Sequence, residues 1–308
     1  MRTLVTGVSG YVGAALAERL RRDGHAVRGF ARSRERVAAA GVELDELVVG
    51  DVTTGAGLER ALDGVDVAYY LIHSMEGAAA GAFAEAERRS ADAFATAASR
   101  AGLRRVVYLG GLVPRDAQPS RHLGSRLAVE GALLAAVPEA IALRASIVIG
   151  ARSRSFRFLV RLIERMPVMA LPAWRENRTA PIDGRDMLEY LARAATAPGE
   201  LAGRSWDIGG PDVMTYAAMI AGISDALMVR RPALGLGLSL TPVASVVAAA
   251  IAGEDPALIE PLMESLEHDL LPRDGDAAGA FGVHLHTFDA AVERALREWE
   301  HTEELAAR

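Results

Sequence analysis

Thr6-Gly7-Val8-Ser9-Gly10-Tyr11-Val12-Gly13 is the stretch of this sequence best suited to chemistry. Its glycines recur at every third residue, after an apolar run (Thr3–Thr6) and before an amphipathic one (Tyr11–Arg22). In a phosphate-binding turn one glycine permits the tight bend, one lets the backbone approach a pyrophosphate, and one lets the helix pack close to the strand. The free amides and dipole of the helix then hold the anion. Gly7, Ser9, Gly10, Tyr11, Val12 and Gly13 are therefore read as one side of a dinucleotide site. A plain tight turn is the competing reading; the strand before and the helix after favour the first.

The next strand decides which dinucleotide. A site for NAD usually carries Asp or Glu about 20 residues beyond the glycines, to bind the ribose 2′-hydroxyl. Here the corresponding segment reads Phe30-Ala31-Arg32-Ser33-Arg34, with no acid between Gly24 and Arg34. A carboxylate would repel a 2′-phosphate, whereas Arg32 can fork onto one and Ser33 can donate to it. NADP(H) is the expected cofactor and NAD(H) the alternative. The bland reading of Arg32 is a solvated surface cation.

These residues need a scaffold, and the first half of the chain supplies one. Apolar runs at Thr3–Thr6, Ala26–Ala31, Glu46–Val49, Val67–Leu71, Arg105–Leu109 and Ala140–Val148 alternate with helical stretches at Tyr11–Arg22, Ser33–Ala39, Gly57–Leu62, Gly81–Ala101 and Arg121–Ala136. Such alternation predicts an α/β fold with a doubly wound parallel sheet and a ligand site at the carboxyl ends of its strands. Beyond Gly150 the pattern loosens: helices over Phe156–Arg165 and Gly184–Thr196, strands over Thr179–Ile182 and Arg204–Ile208, then mostly helix from Tyr216. The expected organisation is a dinucleotide-binding domain over residues 1–153, with elements near 179–212 returning to it. A smaller, mostly helical lobe over 213–308 lies on the substrate side.

Further segments carry a family resemblance. Gly50-Asp51-Val52, Asp66-Val67-Ala68-Tyr69-Tyr70-Leu71-Ile72-His73-Ser74, Val106-Val107-Tyr108-Leu109-Gly110-Gly111 and Leu143-Arg144-Ala145-Ser146-Ile147-Val148-Ile149-Gly150 follow one another in the required order. So do Pro181-Ile182-Asp183-Gly184-Arg185-Asp186 and Asp207-Ile208-Gly209-Gly210-Pro211. With the Gly-x-x-Gly-x-x-Gly turn, the chain resembles the short-chain dehydrogenase/reductase superfamily over about residues 1–215. Its match is to the atypical, NAD(P)H-binding, NmrA-like branch. The resemblance implies a Rossmann fold, with Asp51 and Val52 near the adenine and Leu71 and Ile72 lining the cofactor groove.

It also shows what is missing. The superfamily's usual catalysis needs a Ser after the fifth strand, and a Tyr and a Lys four residues apart on the next helix. The Ser position resembles Gly110-Gly111, the Tyr position His122 and the Lys position Arg126, with Glu130 four residues further on. Arginine cannot relay protons near neutral pH, although it can bind a ribose. Histidine is able to act as acid or base. His122 is thus either a proton donor or a surface residue. His73, at the end of the fourth strand, is either a second donor or a turn cap. The catalytic candidates are His122, Arg126 and His73. Tyr69 and Tyr70 read as packing residues, and Asp183 and Asp186 as structural. His284 and His286 alternate with apolar residues but lack an acidic cluster to complete a metal site, so no metal is expected.

Composition sets the outer limits. The chain has 308 residues, with 51% hydrophobic and 24% charged, and a net charge of −6. The acidic balance argues against nucleic acid. Cysteine is absent, which excludes thiol nucleophiles, disulfides and thiolate metal sites. Lysine is absent too, so all 34 basic residues are arginine, and Schiff-base or P-loop lysine chemistry is excluded. The opening residues show no signal-peptide pattern, and a cytoplasmic location is expected. Residues 232–253 carry no charge but are interrupted by Gly235, Gly237, Ser239, Thr241 and Pro242. The favoured reading is a buried helix pair or substrate wall, with peripheral membrane contact as the alternative. Together these features predict an NADP(H)-dependent oxidoreductase, monomer or homodimer, acting on a small, fairly apolar carbonyl, enone or quinone-like molecule. The rival reading is a redox sensor or assembly protein that binds NADP(H) without turnover.

Overall fold

The computed structural model describes residues 1–72, 80–235, 263–273, 275–303 and 305, with backbone alone at 80–83. Seven strands form one parallel sheet: β1 (Arg2–Thr6), β2 (Ala26–Ala31), β3 (Glu46–Val49), β4 (Val67–Tyr70), β5 (Arg105–Gly111), β6 (Ile141–Ala145) and β11 (Arg204–Ile208), in the order β11-β6-β5-β4-β1-β2-β3. The helices between them are α1 (Tyr11–Arg22), α2 (Arg34–Ala39), α3 (Leu58–Leu62), α4 (Ala80–Arg100) and α5 (Arg121–Ala136). With α7 (Gly184–Ala194) they bury both sheet faces, as parallel strands require. One face packs Leu16, Leu20, Tyr69, Leu143 and Tyr190, and the other Leu4, Phe30, Tyr70, Phe94 and Leu133. The expected doubly wound fold is therefore present, and the chain order reverses between β1 and β4, where such sheets open a crevice.

The turn from β1 to α1 is fixed by two close approaches. Gly7 lies at φ +66°, and a Cβ there would meet the Leu71 carbonyl oxygen at 2.7 Å. A Cβ on Gly13 would stand 2.4 Å from the Gly7 carbonyl oxygen. Thr6 stitches the same corner: its hydroxyl donates to the Tyr69 carbonyl (2.9 Å) and accepts from the Leu71 amide (3.0 Å). Helix α1 buries Ala14, Leu16, Ala17 and Leu20, and places Arg19, Arg21 and Arg22 at its C-terminal end, where the dipole favours cations.

The second half departs from expectation at one instructive place. The run Ala140–Val148 is not one strand. It breaks after Ala145, where the Ser146 amide donates to the Ile208 carbonyl, and the chain leaves the main sheet as β7 (Val148–Ile149). The expected strand Thr179–Ile182 is likewise two, β9 (Arg178–Thr179) and β10 (Ile182–Asp183), with β10 pairing β7. The remaining elements are α6 (Arg154–Arg165), β8 (Met169–Leu171), β12 (Met214–Thr215), α8 (Tyr216–Ala226), β13 (Ala233–Gly235), α9 (Ala277–Phe281) and α10 (Phe288–Glu300). Helices α6, α8 and α10 share a third core around Phe156, Ile163, Tyr216, Ile223, Leu296 and Trp299. The uncharged stretch 232–253 is described only as far as Gly235, so both readings of it fall largely outside the described residues. Among the described residues no helix is long and apolar enough to cross a membrane.

A chain of charges, its two carboxylates buried, ties the sheet's β5–β6–β11 edge to the C-terminal segment. Glu130 on α5 receives two bonds from Arg144 on β6 (2.9 and 2.5 Å) and one from Ser205 (2.6 Å). Arg144 also faces Asp207 at 3.6 Å, and Asp207 accepts from Arg273 at 2.7 Å. Glu130 and Asp207 are both buried. Removing Arg144 leaves the Glu130 carboxylate buried without its counter-ion, while Asp207 keeps Arg273; breaking one buried pair in this way typically costs about 3–5 kcal/mol. Arg144→Leu is expected to lower the urea midpoint by that order. A midpoint equal to that of the unaltered protein would show that the pairs carry no net stability.

Candidate functional site

One cavity of about 950 Å³ opens at the carboxyl ends of the strands. Of the fifteen residues singled out from the sequence, fourteen line it, and His73 lies outside the described residues. At one side are Gly7, Ser9, Gly10, Tyr11, Val12 and Gly13. Gly10 is the N-cap of α1, has no side chain to cap the helix, and no acid follows in the first turn. The amides of that turn are thus left for a ligand, and a Cβ on Gly10 would touch only the Gly7 carbonyl, at 3.2 Å. A dinucleotide pyrophosphate fits this cradle. Asp51 and Val52 after β3, and Leu71 and Ile72 after β4, continue the same wall.

Tyr11 is held by a notch of its own. Its hydroxyl lies against Gly150 and Gly184, where an added Cβ would stand 2.4 Å and 2.6 Å away. Burial, with Glu298 and Asp183 adding to it, pushes its pKa up to about 12. Tyr11 is therefore a neutral spacer between the glycine turn and the β7–β10 pair.

At the β2 end, exposed Arg32 lines the cavity. Ser33 departs from its expected role. It caps α2, accepting from the Arg36 amide at 3.1 Å, and its own proton goes to Glu35 at 2.7 Å. That proton is committed within the protein, because an N-cap hydroxyl serves the helix first. Arg36, one turn beyond Arg32, lines the cavity instead. Its spacing of four from Arg32 was the available sequence signal.

The positions that the resemblance matches to the superfamily's Ser, Tyr and Lys lie on β5 and α5. Here Leu109, Gly110, Gly111, His122 and Arg126 line the cavity. A Cβ on Gly110 would press the Tyr108 ring at 3.0 Å, and one on Gly111 would press Leu123 at 3.1 Å. The hydroxyl missing from this position is thus matched by packing that leaves little room for it. His122 and Arg126 sit one helical turn apart and share the cavity face. Burial, and then the Arg126 charge, depress the His122 pKa to about 3. The imidazole is neutral at physiological pH, so the expected proton donor cannot act as an imidazolium. The Arg126 Nε is buried and has no hydrogen-bond partner among the described residues.

Of the opposite wall, the sequence offers the apolar Phe156–Pro172 stretch as a substrate-side lining, and it supplies Phe158 and Leu159. That wall brings together Ser146, Thr179, Phe158, Leu159, Trp174 and Tyr216, with Met263, Leu266 and Leu270 closing over them. Asn177 Nδ2 donates to the Leu266 carbonyl at 2.8 Å, and Arg178 grips Asp269 at 2.7 Å, fastening this cover. His286, Asp183 and Asp186 behave structurally. Asp183 caps α7, and Asp186 accepts from the backbone and ring of His286 (2.7 and 2.6 Å). Among the described residues no group of His, Asp or Glu could hold a metal ion.

Comparison with known proteins agrees with this geometry. Residues 7–145 match a protein family described as NAD(P)H-binding. The ceramide reductase of Caulobacter vibrioides is 28% identical over 195 residues, which cover 63% of this chain and 61% of that protein. Subunit 9 of the mitochondrial NADH dehydrogenase (ubiquinone) 1 alpha subcomplex of Arabidopsis thaliana is 27% identical over 134 residues. These cover 43% of this chain and 33% of the subunit. The matches thus span about three fifths of one curated relative and one third of the other. A short-chain dehydrogenase/reductase superfamily protein from Agrobacterium tumefaciens, solved with bound NAD, superposes with a TM-score of 0.72 at 20% identity over 98% of both chains. The superposition shows the Rossmann fold. The family match supports a nicotinamide cofactor.

Burying a neutral histidine has a cost that depends on pH. The folded pKa lies near 3 and the ordinary value is 6.5, so the unfolded chain binds the extra proton as pH falls between them. The contribution of His122 to stability is complete above pH 6.5 and is lost progressively toward pH 3. His122→Asn is expected to flatten this part of the stability profile. Urea midpoints of the two proteins at pH 7 and pH 4.5 check it, and parallel profiles would place the histidine in water.

Proposed function

We propose that the protein is an NADP(H)-dependent reductase of the atypical, NmrA-like kind, acting on a fairly apolar carbonyl, enone or quinone-like substrate. The observation that carries this reading is the continuity of the cavity. One space joins the glycine cradle and Arg32 to an apolar wall of Phe158, Leu159, Met219 and Ile220. The ceramide reductase relationship supports an apolar carbonyl compound as substrate. Arg32 and Arg36, both in the cavity wall, support NADP(H) over NAD(H).

A bound reduced nicotinamide supplies the hydride. The chain's own residues position the partners. The amides at the start of α1 bind the pyrophosphate, and Arg126 presents a fixed cation toward the ribose side. Neutral His122 can donate one N–H to an acceptor oxygen and so polarise a carbonyl without protonating it, as neutral imidazoles do in other enzymes. Tyr11 and Tyr216 both line the cavity, yet burial raises both of their pKa values. Neither resembles a tyrosine whose pKa is lowered for acid–base work.

The consequence is a preference for acceptors that need little acid assistance. A positioned acid typically contributes 10²–10⁴-fold. Purified protein with NADPH should reduce quinones and enones, while oxidation of simple secondary alcohols should be slower by about that factor. Because His122 stays neutral, the rate should show no limb near pH 6.5. Stopped-flow absorbance across an acceptor panel tests this. Binding of NADPH with no consumption by any acceptor would overturn turnover. It would favour the second reading, a non-catalytic NADP(H) binder, which the missing Ser, Tyr and Lys and the NADH dehydrogenase subunit relationship support.

Cofactor choice is tested separately. Arg32→Asp removes a cation from the cavity wall and adds repulsion. Charge-assisted bonds are worth roughly 1.5–3 kcal/mol, so NADPH should bind at least tenfold more weakly while NADH changes little. Equal losses by calorimetry would show that Arg32 does not read the 2′-phosphate.

A further inference from the structure

A second helix opens its N-terminus on the cavity. Ser153 is the N-cap of α6, yet its side chain caps nothing, and no acid stands in the first turn. The Ser155 and Phe156 amides donate to no acceptor among the described residues. Arg152, Ser153 and Ser155 all line the cavity. Ser153 is 6% exposed. Its hydroxyl has no hydrogen-bond partner among the described residues and is not sealed off, and the cavity is the open space beside it. Arg152 is exposed and forms no ion pair among the described residues. A buried hydroxyl, open helix amides and an unpaired guanidinium therefore meet at one corner.

Under the reductase reading the cofactor's anionic centres are already seated, the pyrophosphate on α1 and the 2′-phosphate at Arg32 and Arg36. Tyr11 stands between α1 and the new corner. Its hydroxyl fills the notch at Gly150, two residues before Arg152, and feels the Arg152 charge. Asp183 and Glu298 also act on Tyr11, but each holds its own cation, Arg185 at 2.5 Å and Arg294 at 3.5 Å. The acid that does line the cavity, Asp51, follows β3 at the far edge of the sheet. Hydroxyl donors, helix amides and arginine together recognise an oxyanion. One unpaired cation balances one negative charge, which suits a carboxylate better than a phosphate monoester. Ser155 is followed one turn along the same helix face by Phe158 and Leu159, both in the cavity wall, so an apolar body can continue from the anionic head.

We infer that the N-terminus of α6, with Arg152, Ser153 and Ser155, seats the carboxylate of a substrate whose apolar body runs along Phe158 and Leu159. The substrate class is then an apolar carbonyl or enone compound that carries an acid group away from the reacting carbonyl. The reductase reading is needed to call this ligand the substrate; the seat itself rests on the α6 corner.

The probes are decanoate, 1-decanol as the same chain without charge, and decyl phosphate, titrated by calorimetry into the protein with and without NADP⁺. Arg152→Gln should weaken decanoate about tenfold or more, and Ser153→Ala and Ser155→Ala about fivefold each, with decanol unchanged. NADPH affinity should stay within about twofold in all three variants. Because Ser153 caps nothing, Ser153→Ala should keep the Tm, whereas loss of a working N-cap lowers it by a few degrees. In turnover an enone with a terminal carboxylate should show a KM about tenfold below that of its methyl ester, and Arg152→Gln should erase the preference. Decanoate affinity unaltered by Arg152→Gln, an equal loss of NADPH affinity, or a lowered Tm in Ser153→Ala would overturn the seat. Tighter binding of decyl phosphate than of decanoate would overturn its assignment to a carboxylate. If the unaltered protein takes up no NADP⁺, or turns over neither enone, the reductase reading alone fails, and the titrations without NADP⁺ still decide the seat.

Discussion

How closely α1 is pressed onto the Gly7 carbonyl is the constraint from which the rest of the site follows. Only hydrogen fits on the Gly13 Cα, so the helix axis lies nearer the sheet than any side chain would permit. That approach sends the first-turn amides over the carboxyl ends of β1 and β4, and Thr6 locks the two strands at the same level. The crevice between β1 and β4 is then edged by backbone donors. Every other wall of the cavity is arranged around this edge.

The parts of the structure that local physics dictates were visible in the sequence. Strand β2, helix α1, helix α5 and strand β11 begin and end where periodicity places them. Each is long enough to show a repeat, and each is bounded by glycine, proline or a polar cap. The glycine turn was legible for the same reason, since it is a statement about backbone conformation at consecutive positions. The two-residue strands β7, β9, β10 and β12 were not. They are too short to carry a period, and their pairing joins positions about 35 residues apart, such as Ile182 with Val148 and Met214 with Thr179.

The site divides along the same line. Its dinucleotide half is built from residues close together in sequence. Its other half gathers Ser146, Trp174, Thr179, Tyr216 and Met263 from five separate segments, so no spacing rule could have assembled it. Charge states were hidden as well. His122 reads as a titrating residue from its type, and only its burial beside Arg126 shows that it stays neutral. Ser33 reads as a phosphate ligand, and only its bond to Glu35 shows where its proton goes. In both cases a neighbour outside the local motif decides the chemistry.

The notch around the Tyr11 hydroxyl links three positions that are far apart in the chain. With tyrosine at 11, any residue larger than glycine at 150 or 184 would push on its oxygen and shift the ring. The dependence runs one way at each partner: shrinking position 11 frees 150 and 184, whereas enlarging either glycine first is blocked. Substitutions here are therefore eased in one order, position 11 before its two contacts. Libraries that randomise these sites one at a time will find the second step only in the background of the first.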